Sequence, residues 1–235
     1  MKTLEEIKFG WLKDPVDSRD FPARSLVYAA LPLPKTYWCN PNTPVYNQGS
    51  TPSCVGYASA GVKTDEEFIQ HGEEYTFDGL WLYKKCKKVD GIPNQAGSYP
   101  RIALKILQEM GIRQNTIPCK KTKPDSFWKI KAYYRVTEED TDETIKQIIF
   151  QYGSLLIGST WYSSWNSVKE VFPDPGNAIS GGHAYRVCGW NEVGWVVVNS
   201  WGKLLWGIKG MATMPYDMFR SKVIFGDVWK IIDNQ

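Results

Sequence analysis

Apolar side chains recur at helical spacing in the first half of the chain, from residue 53 onward. Residues 53–70 predict a helix with Ser53 as its N-cap and Gly72 as its end signal. Small side chains fill the first half of this helix, so other elements can approach closely and we expect it to be central and buried. Two more helices are predicted over residues 78–88 and 100–110.

Beyond about residue 130, the pattern favours β-structure. Asp140 and Glu143 resemble a capping box, which predicts one last amphipathic helix. The short apolar runs that follow are bounded by turns, and they predict an antiparallel sheet or a small barrel. These runs cover residues 154–160, 184–190, 194–199, 208–214 and about 223–232.

Proline and turn residues dominate positions 11–48, which predicts an extended arm lying on the body of the protein. We therefore predict a single α+β domain over residues 1–235. It has the arm in residues 1–47, a helical lobe over about 48–130 and a β-rich lobe over about 131–235. A cleft is expected where the two lobes meet.

Composition narrows the class of protein. Hydrophobic residues make up 43% of the 235 residues, with 11 Trp and 13 Tyr, which is ample for a folded core. A net charge of +3 is too small to indicate nucleic-acid binding. The lysine-rich runs at 84–88 and 120–123 are typical of a solvated face, with phosphate binding as the less favoured alternative.

The first ten residues lack the apolar segment of a secretory signal, and no run approaches the roughly 18 apolar residues of a membrane helix. We therefore expect a cytoplasmic protein without membrane partners. Its five cysteines are an odd number, which favours buried free thiols, although a bridge between Cys86 and Cys119 stays open. Cys-x-x-Cys and His-x-x-x-His patterns are absent from the sequence, so neither metal nor cofactor is predicted.

Three motifs carry residue types that cooperate in thiol chemistry. Gln48 and Cys54 lie in Asn-Gln-Gly-Ser-Thr-Pro-Ser-Cys, His183 in Gly-Gly-His-Ala and Asn199 in Asn-Ser-Trp-Gly. A nucleophilic thiol needs an imidazole beside it and a positive local potential, which the N-terminus of a helix at Cys54 would supply. The other histidine, His71, falls at the apparent end of a helix and fits a solvated residue there.

These motifs, in this order and with His183 and Asn199 roughly 130–150 residues after Cys54, resemble the papain-like cysteine peptidases. The segments Gly97-Ser98-Tyr99-Pro100 and Trp201-Gly202 also resemble that family, so the similarity spans roughly residues 40–215. In character the chain resembles the prodomain-free bacterial and phage branch, and a phage origin would allow association with a virion. The resemblance implies a papain-like fold with a helical lobe, an antiparallel β-barrel or sheet lobe, and the active site between them.

The resemblance also implies a role for each matching residue. Cys54 would be the nucleophile, His183 its base and acid in a thiolate–imidazolium pair, and Asn199 the group that orients the imidazole. Gln48 would donate to the oxyanion, and Trp201 would shield the contact between His183 and Asn199. Substrate-binding positions, which would take an extended peptide, are implied at Gly97, Ser98, Tyr99 and Gly182. The implied activity is peptide-bond hydrolysis through an acyl-thioenzyme.

Some departures leave alternatives open. Thr51-Pro52-Ser53 precedes Cys54 where many relatives carry a further cysteine, and no inhibitory propeptide is evident before Gln48. We therefore expect an enzyme that is active as made or restrained by a partner. Pocket residues are expected around 161–165 and 216–219. An amidase or isopeptidase using the same residues, or a catalytically silent binding module, is the alternative function, and the sequence leaves the oligomeric state open.

Overall fold

The computed structural model describes residues 8–115 and 127–233. Four main helices are observed: α1 (Cys54–His71), α2 (Gly79–Val89), α3 (Pro100–Glu109) and α4 (Asp142–Tyr152). The strands are β1 (Tyr37–Trp38), β2 (Ile112–Arg113), β3 (Phe127–Trp128), β4 (Ala132–Arg135), β5 (Leu155–Tyr162), β6 (Ile179–Trp190), β7 (Gly194–Val198), β8 (Met211–Pro215) and β9 (Asp227–Ile232). A short helix α5 (Tyr216–Met218) continues into a π-helical turn, Phe219–Val223, and 3₁₀ turns form at Ala23–Leu26 and Ser163–Ser167.

The main sheet is antiparallel and its strands are ordered β4-β9-β5-β6-β7-β8, with β1 added to β6. Within the described residues β4 and β8 are its two edges. Of the two expected forms, the lobe therefore has the open antiparallel sheet and not the closed barrel. Strands β2 and β3 form a separate antiparallel pair beside the helices. The predicted fold class, with helices and an antiparallel β-rich part, is confirmed, whereas the bounds at about residues 48, 130 and 235 stay a prediction.

Helix α1 lies between helices α2 and α3 on one side and the sheet on the other, as its small residues predicted. It begins at Cys54 and ends at Gly72, which adopts a left-handed conformation with φ 67°. A Cβ at Gly56 would lie 2.3 Å from the Gly79 carbonyl oxygen, so the N-terminus of α2 packs directly on this face. The helix therefore fixes Cys54 against the core of the molecule.

The start of α4 differs from the prediction. Its N-cap is Thr141, whose hydroxyl accepts a hydrogen bond from the Thr144 backbone N–H at 3.1 Å. Asp140 instead accepts from the backbone N–H of Thr137 at 2.8 Å, which closes the preceding turn. Asp140 and Thr141 both suit an N-cap. Because the Asp140 carboxylate is bound in the turn at residues 137–140, Thr141 caps the helix.

Other boundaries also moved. Strand β6 begins at Ile179, earlier than predicted, because its first half pairs with β5. The predicted run at 223–232 is a strand only from Asp227, since residues 219–223 coil into the π-helical turn. Strands β1 to β4 were missed because three of them are only two residues long.

Candidate active site

Cys54 is the first residue of α1 and is fully buried. Pro52 and Ser53 lead into the helix, and the hydroxyls of Thr51 and Ser53 are 2.5 Å apart. The backbone N–H groups of Ala184 in β6 and of Gly10 in the arm lower the pKa of the thiol against the effect of burial. The thiol thus lies at a helix N-terminus where the two lobes and the arm converge.

His183 lies in β6 opposite Ser159 of β5 and is fully buried. Its Nε2 is 2.8 Å from Oδ1 of Asn199, the residue that follows β7. An amide oxygen only accepts hydrogen bonds, so Nε2 carries the proton and Nδ1 keeps its lone pair. Among the described residues Nδ1 has no hydrogen-bond partner. This arrangement leaves Nδ1 available as a base.

Aromatic rings enclose the contact between His183 and Asn199. The Trp201 ring centroid is 4.9 Å from that of His183, and Trp161 lies on another side at 4.8 Å. Both tryptophans are buried. Trp161 therefore packs behind the histidine and Trp165 packs on Trp161, whereas residues 162–164 are half-buried, so a pocket around residues 161–165 stays a prediction.

Gln48 and Asn199 are held by Ser200, which sequence reasoning did not single out. Its hydroxyl donates to Oε1 of Gln48 at 2.7 Å, and its backbone N–H donates to Oδ1 of Asn199 at 2.7 Å. The Gln48 amide nitrogen is thereby turned into the cleft. Ser200 stands inside the Asn-Ser-Trp-Gly motif, but only tertiary contacts reveal that it orients both amides.

The cleft is occupied by the protein's own arm. The Gln48 side-chain nitrogen donates to the Lys8 carbonyl oxygen at 3.0 Å. The backbone N–H groups of Gly10 and Trp11 donate to the Gly182 carbonyl oxygen at 3.0 and 2.9 Å. The short arm before Gln48 thus covers the cleft without the long charged helix of a propeptide, through backbone hydrogen bonds and the side chain of Gln48.

Ser98 forms the opposite wall of the cleft. Its N–H donates to the Gly10 carbonyl oxygen at 2.9 Å, and its carbonyl oxygen accepts from the Leu12 N–H at 3.1 Å. A Cβ at Gly97 would lie 2.4 Å from the Gly10 oxygen, so this approach requires a glycine. Tyr99 is half-buried and is the N-cap residue of α3. Gly97, Ser98 and Gly182 thus all contact the same extended segment of the arm, residues 10–12.

Burial changes the acid–base properties of the two reactive groups. It raises the pKa of Cys54 to about 11, although the backbone N–H groups of Ala184 and Gly10 oppose that shift. It lowers the pKa of His183 to about 4 against the opposing hydrogen bond with Asn199. With the arm in place, the neutral thiol and neutral imidazole are therefore favoured. The thiolate–imidazolium pair of Cys54 and His183 therefore stays a prediction, which applies to the protein with the arm displaced.

The remaining cysteines in the described part of the chain are buried free thiols: Cys39, Cys86 and Cys188. Cys119, the partner in the alternative bridge to Cys86, lies outside the described residues. Within residues 8–115 and 127–233, no cluster of three His, Cys, Asp or Glu could hold a metal ion. No helix in those ranges is long and apolar enough to cross a membrane.

The sequence profile of the papain family cysteine proteases matches residues 34–223, which include Gln48, Cys54, His183 and Asn199. The chain belongs to the papain family. Among solved structures, this papain-family chain is similar to xylellain, a cysteine protease from Xylella fastidiosa, with a TM-score of 0.80 and 25% identity over 98% of this chain and 97% of that one.

Two further proteins resemble the chain, one in fold and one in sequence. A procathepsin B from Trypanosoma congolense has the same fold, with a TM-score of 0.73 and 17% identity over 98% of this chain and 88% of that one. A cathepsin B-like cysteine proteinase from Schistosoma japonicum is 28% identical over 151 residues, which are 60% of this chain and 41% of that relative. The match thus spans less than half of the cathepsin B-like relative.

Proposed function

We propose that this papain-family protein is a cysteine peptidase that hydrolyses extended peptides with Cys54 as nucleophile and His183 as base and acid. The observation that carries the proposal is the imidazole geometry. Nε2 is fixed on Asn199, Nδ1 has a free lone pair, and the thiol lies beside the backbone of the next residue, Ala184. Few arrangements of a buried thiol and imidazole are so oriented by chance.

In the proposed reaction, Nδ1 of His183 takes the thiol proton as Sγ of Cys54 attacks the substrate carbonyl carbon. The carbonyl oxygen becomes negative and accepts hydrogen bonds from Nε2 of Gln48 and the Cys54 backbone N–H. His183 returns its proton to the leaving amine as the C–N bond breaks. A water molecule, deprotonated by the same imidazole, then hydrolyses the acyl-thioenzyme and releases the acid.

The docked arm supports two parts of this scheme. Ser98 and Gly182 bind its backbone on either side, so the cleft accepts an extended chain with ordinary main-chain hydrogen bonds. Gln48 donates to the Lys8 carbonyl oxygen, so this side chain reaches a carbonyl group in the cleft. A substrate enters only after the arm has left, because both use the same donors and acceptors.

The occupied cleft and the neutral thiol favour one second candidate, a module that binds extended chains without turnover. Hydrolysis of a fluorogenic peptide library separates the two. We expect activity in the full chain, greater activity when Gly10→Glu displaces the arm, and none after Cys54→Ala or His183→Ala. Gln48→Ala should lower kcat by about 10²–10³-fold, the usual effect of losing an oxyanion donor.

His71→Ala is the matched histidine control and should leave the rate unchanged, because His71 is about half exposed at the end of α1. Unaltered hydrolysis in Cys54→Ala would exclude the proposed mechanism. If wild type and Gly10→Glu both bind library peptides and neither cleaves them, the binding module is correct instead.

A further inference from the structure

One lysine of the run at 84–88 differs from its neighbours. Lys84 and Lys88 are exposed on α2, as expected for a solvated face. The Lys87 side chain is only 17% exposed, since it turns back under the loop that follows the helix. It lies in the last turn of α2, where the helix dipole favours a cation.

The Lys87 ammonium group is surrounded by acceptors of that loop. It donates to Oδ2 of Asp90 at 2.8 Å and to the carbonyl oxygens of Ile92 at 2.8 Å, Gln95 at 2.8 Å and Gly97 at 3.1 Å. A compact ammonium with rotatable donors fits such a ring of carbonyls better than a planar guanidinium. One side chain thus binds four acceptors that are spread over residues 90–97.

Apolar packing contributes little to holding the loop. Residues 91–96 are exposed except for the half-buried Ile92. Besides Lys87, three backbone N–H groups hold it: Ile92 donates to Oδ1 of Asp90 at 3.1 Å, Gln95 to the Ile92 carbonyl oxygen at 3.0 Å and Gly97 to the Tyr83 hydroxyl at 3.3 Å. The order of the loop therefore depends on polar contacts, and Lys87 makes four of them.

The loop ends at the wall of the cleft. Gly97 and Ser98 are the residues that approach the bound chain, and Ser98 pairs with it through both backbone groups. The buried Asp90 carboxylate links the two regions, because its Oδ2 accepts from Lys87 and, at 3.0 Å, from the Ser98 hydroxyl. Because of this link, a displacement of the loop at residues 90–97 would also displace the edge at Gly97 and Ser98.

We propose that Lys87 is a positioning residue for substrate binding, which holds the peptide-pairing edge at Gly97 and Ser98 through the loop and Asp90. The effect of Lys87 on the binding of substrate rests on the proposed peptidase function. Its effect on the order of the edge at Gly97 and Ser98 does not depend on catalysis, because the arm already binds this edge.

The first test is amide hydrogen exchange on the full chain with Lys87→Met. Losing the ammonium removes the counter-charge of the buried Asp90 and one hydrogen bond from each of three loop carbonyls, so the edge at Ser98 loosens. The Ser98 and Leu12 amides, which bridge the arm and this edge, should exchange at least about tenfold faster. The Gly10 and Trp11 amides, which are bound to Gly182 on the other wall, should change much less.

Lys88→Met is the matched control, because it makes the same chemical change one residue away on the exposed face. Equal exchange at Ser98 in the two variants would overturn the proposal. So would equal acceleration on both walls of the cleft in Lys87→Met, since that pattern indicates general destabilisation. If Lys87→Met does not fold, Asp90→Asn keeps the size of the linking side chain and should loosen the same two amides.

The second test is peptide hydrolysis in the Gly10→Glu background. Lys87→Met should raise KM by about tenfold and leave kcat within about threefold, because the edge contributes binding shared by ground and transition states. A fall in kcat with unchanged KM would contradict a positioning role at this edge. If no variant hydrolyses peptide, the peptidase proposal fails, while the exchange experiment still decides the role of Lys87.

Discussion

At the scale of single residues, Gly10 decides whether the cleft is closed. Its N–H and C=O are both bound, to Gly182 and Ser98, and its N–H also lowers the pKa of the Cys54 thiol. A Cβ at this position would lie 2.0 Å from the carbonyl oxygen of Pro52, with backbone on both sides. Only a residue without a side chain fits between Pro52 and the cleft wall.

Replacing Gly10 with glutamate should therefore displace the arm and expose Cys54. Overpacking of this kind costs about 1–3 kcal/mol, so iodoacetamide should alkylate Cys54 at least about tenfold faster at neutral pH, as followed by mass spectrometry at each cysteine. Val16→Glu is the control, because Val16 lies in the same arm and is 94% exposed. Equal rates at Cys54 in both variants would show that Gly10 does not keep the thiol covered.

At the scale of elements, the arm is fastened to the body by two buried carboxylates, Asp14 and Asp227. Oδ2 of Asp227 accepts from the Trp11 indole and from the Asp14 N–H, both at 2.8 Å. The Asp14 carboxylate accepts from the N–H of Arg101 in α3 at 3.1 Å. Burial, and then the charge of Asp227, raise the pKa of Asp14 from 3.8 to about 7, although the charges of Arg101 and Arg135 oppose this.

The contribution of Asp14 to docking of the arm should weaken as the pH rises. A displaced Asp14 is exposed and has an ordinary pKa, so the docked arm holds a proton there that the free arm releases. This contribution is largest near pH 4 and falls by up to about tenfold per pH unit until about pH 7, whereas the lowered pKa of His183 beneath the arm acts in the opposite sense. Hydrogen exchange of the Gly10 and Trp11 amides from pH 5 to 8, corrected for intrinsic rates, measures this.

The variant Asp14→Asn should remove the part of the pH dependence in which arm opening increases with pH. Asp17→Asn is a matched control, because it removes another carboxyl of the arm, one whose pKa is already lowered by Arg19. If arm opening in Asp14→Asn still increases with pH as in the wild type, a group other than Asp14 is responsible for that increase.

At the scale of the whole molecule, α1 joins the two halves through buried charges as well as through apolar packing. Glu66 of α1 accepts from Nζ of Lys230 in β9 at 2.7 Å, and Asp65 lies 3.4 Å from Arg186 in β6. All four side chains are nearly inaccessible to solvent. Such pairs need not favour folding by themselves, but removing one partner leaves the other charge buried alone.

Lys230→Met should accordingly lower the free energy of unfolding by about 3–5 kcal/mol, since Glu66 loses its counter-charge. Urea unfolding at pH 7 measures the change. The exposed pair of Arg24 and Glu139 serves for comparison, and Arg24→Met should cost less than about 1 kcal/mol. Similar losses in the two variants would mean that the pair buried beneath α1 contributes no more than a surface contact.

The sequence by itself determined the elements that depend on near neighbours. Gly72 ends α1 because a left-handed residue is needed there, and Pro100 starts α3 because its missing N–H is not needed in the first turn. The motifs around Gln48, Cys54, His183 and Asn199 identified the family, since each has a local sequence of its own. The start of α4 was misplaced by the local competition between Asp140 and Thr141.

Only the tertiary structure decided what lies in the cleft and what holds it. Trp11 meets Asp227 across 216 positions, and Gln48 meets Lys8 across 40, and no local pattern records such pairings. The role of Lys87 was hidden in a run of lysines for the same reason, because its loop folds back on it. The neutral state of Cys54 and His183 likewise follows from burial beneath the arm. Burial is a property of the assembled chain, whereas helix signals and motifs belong to short segments.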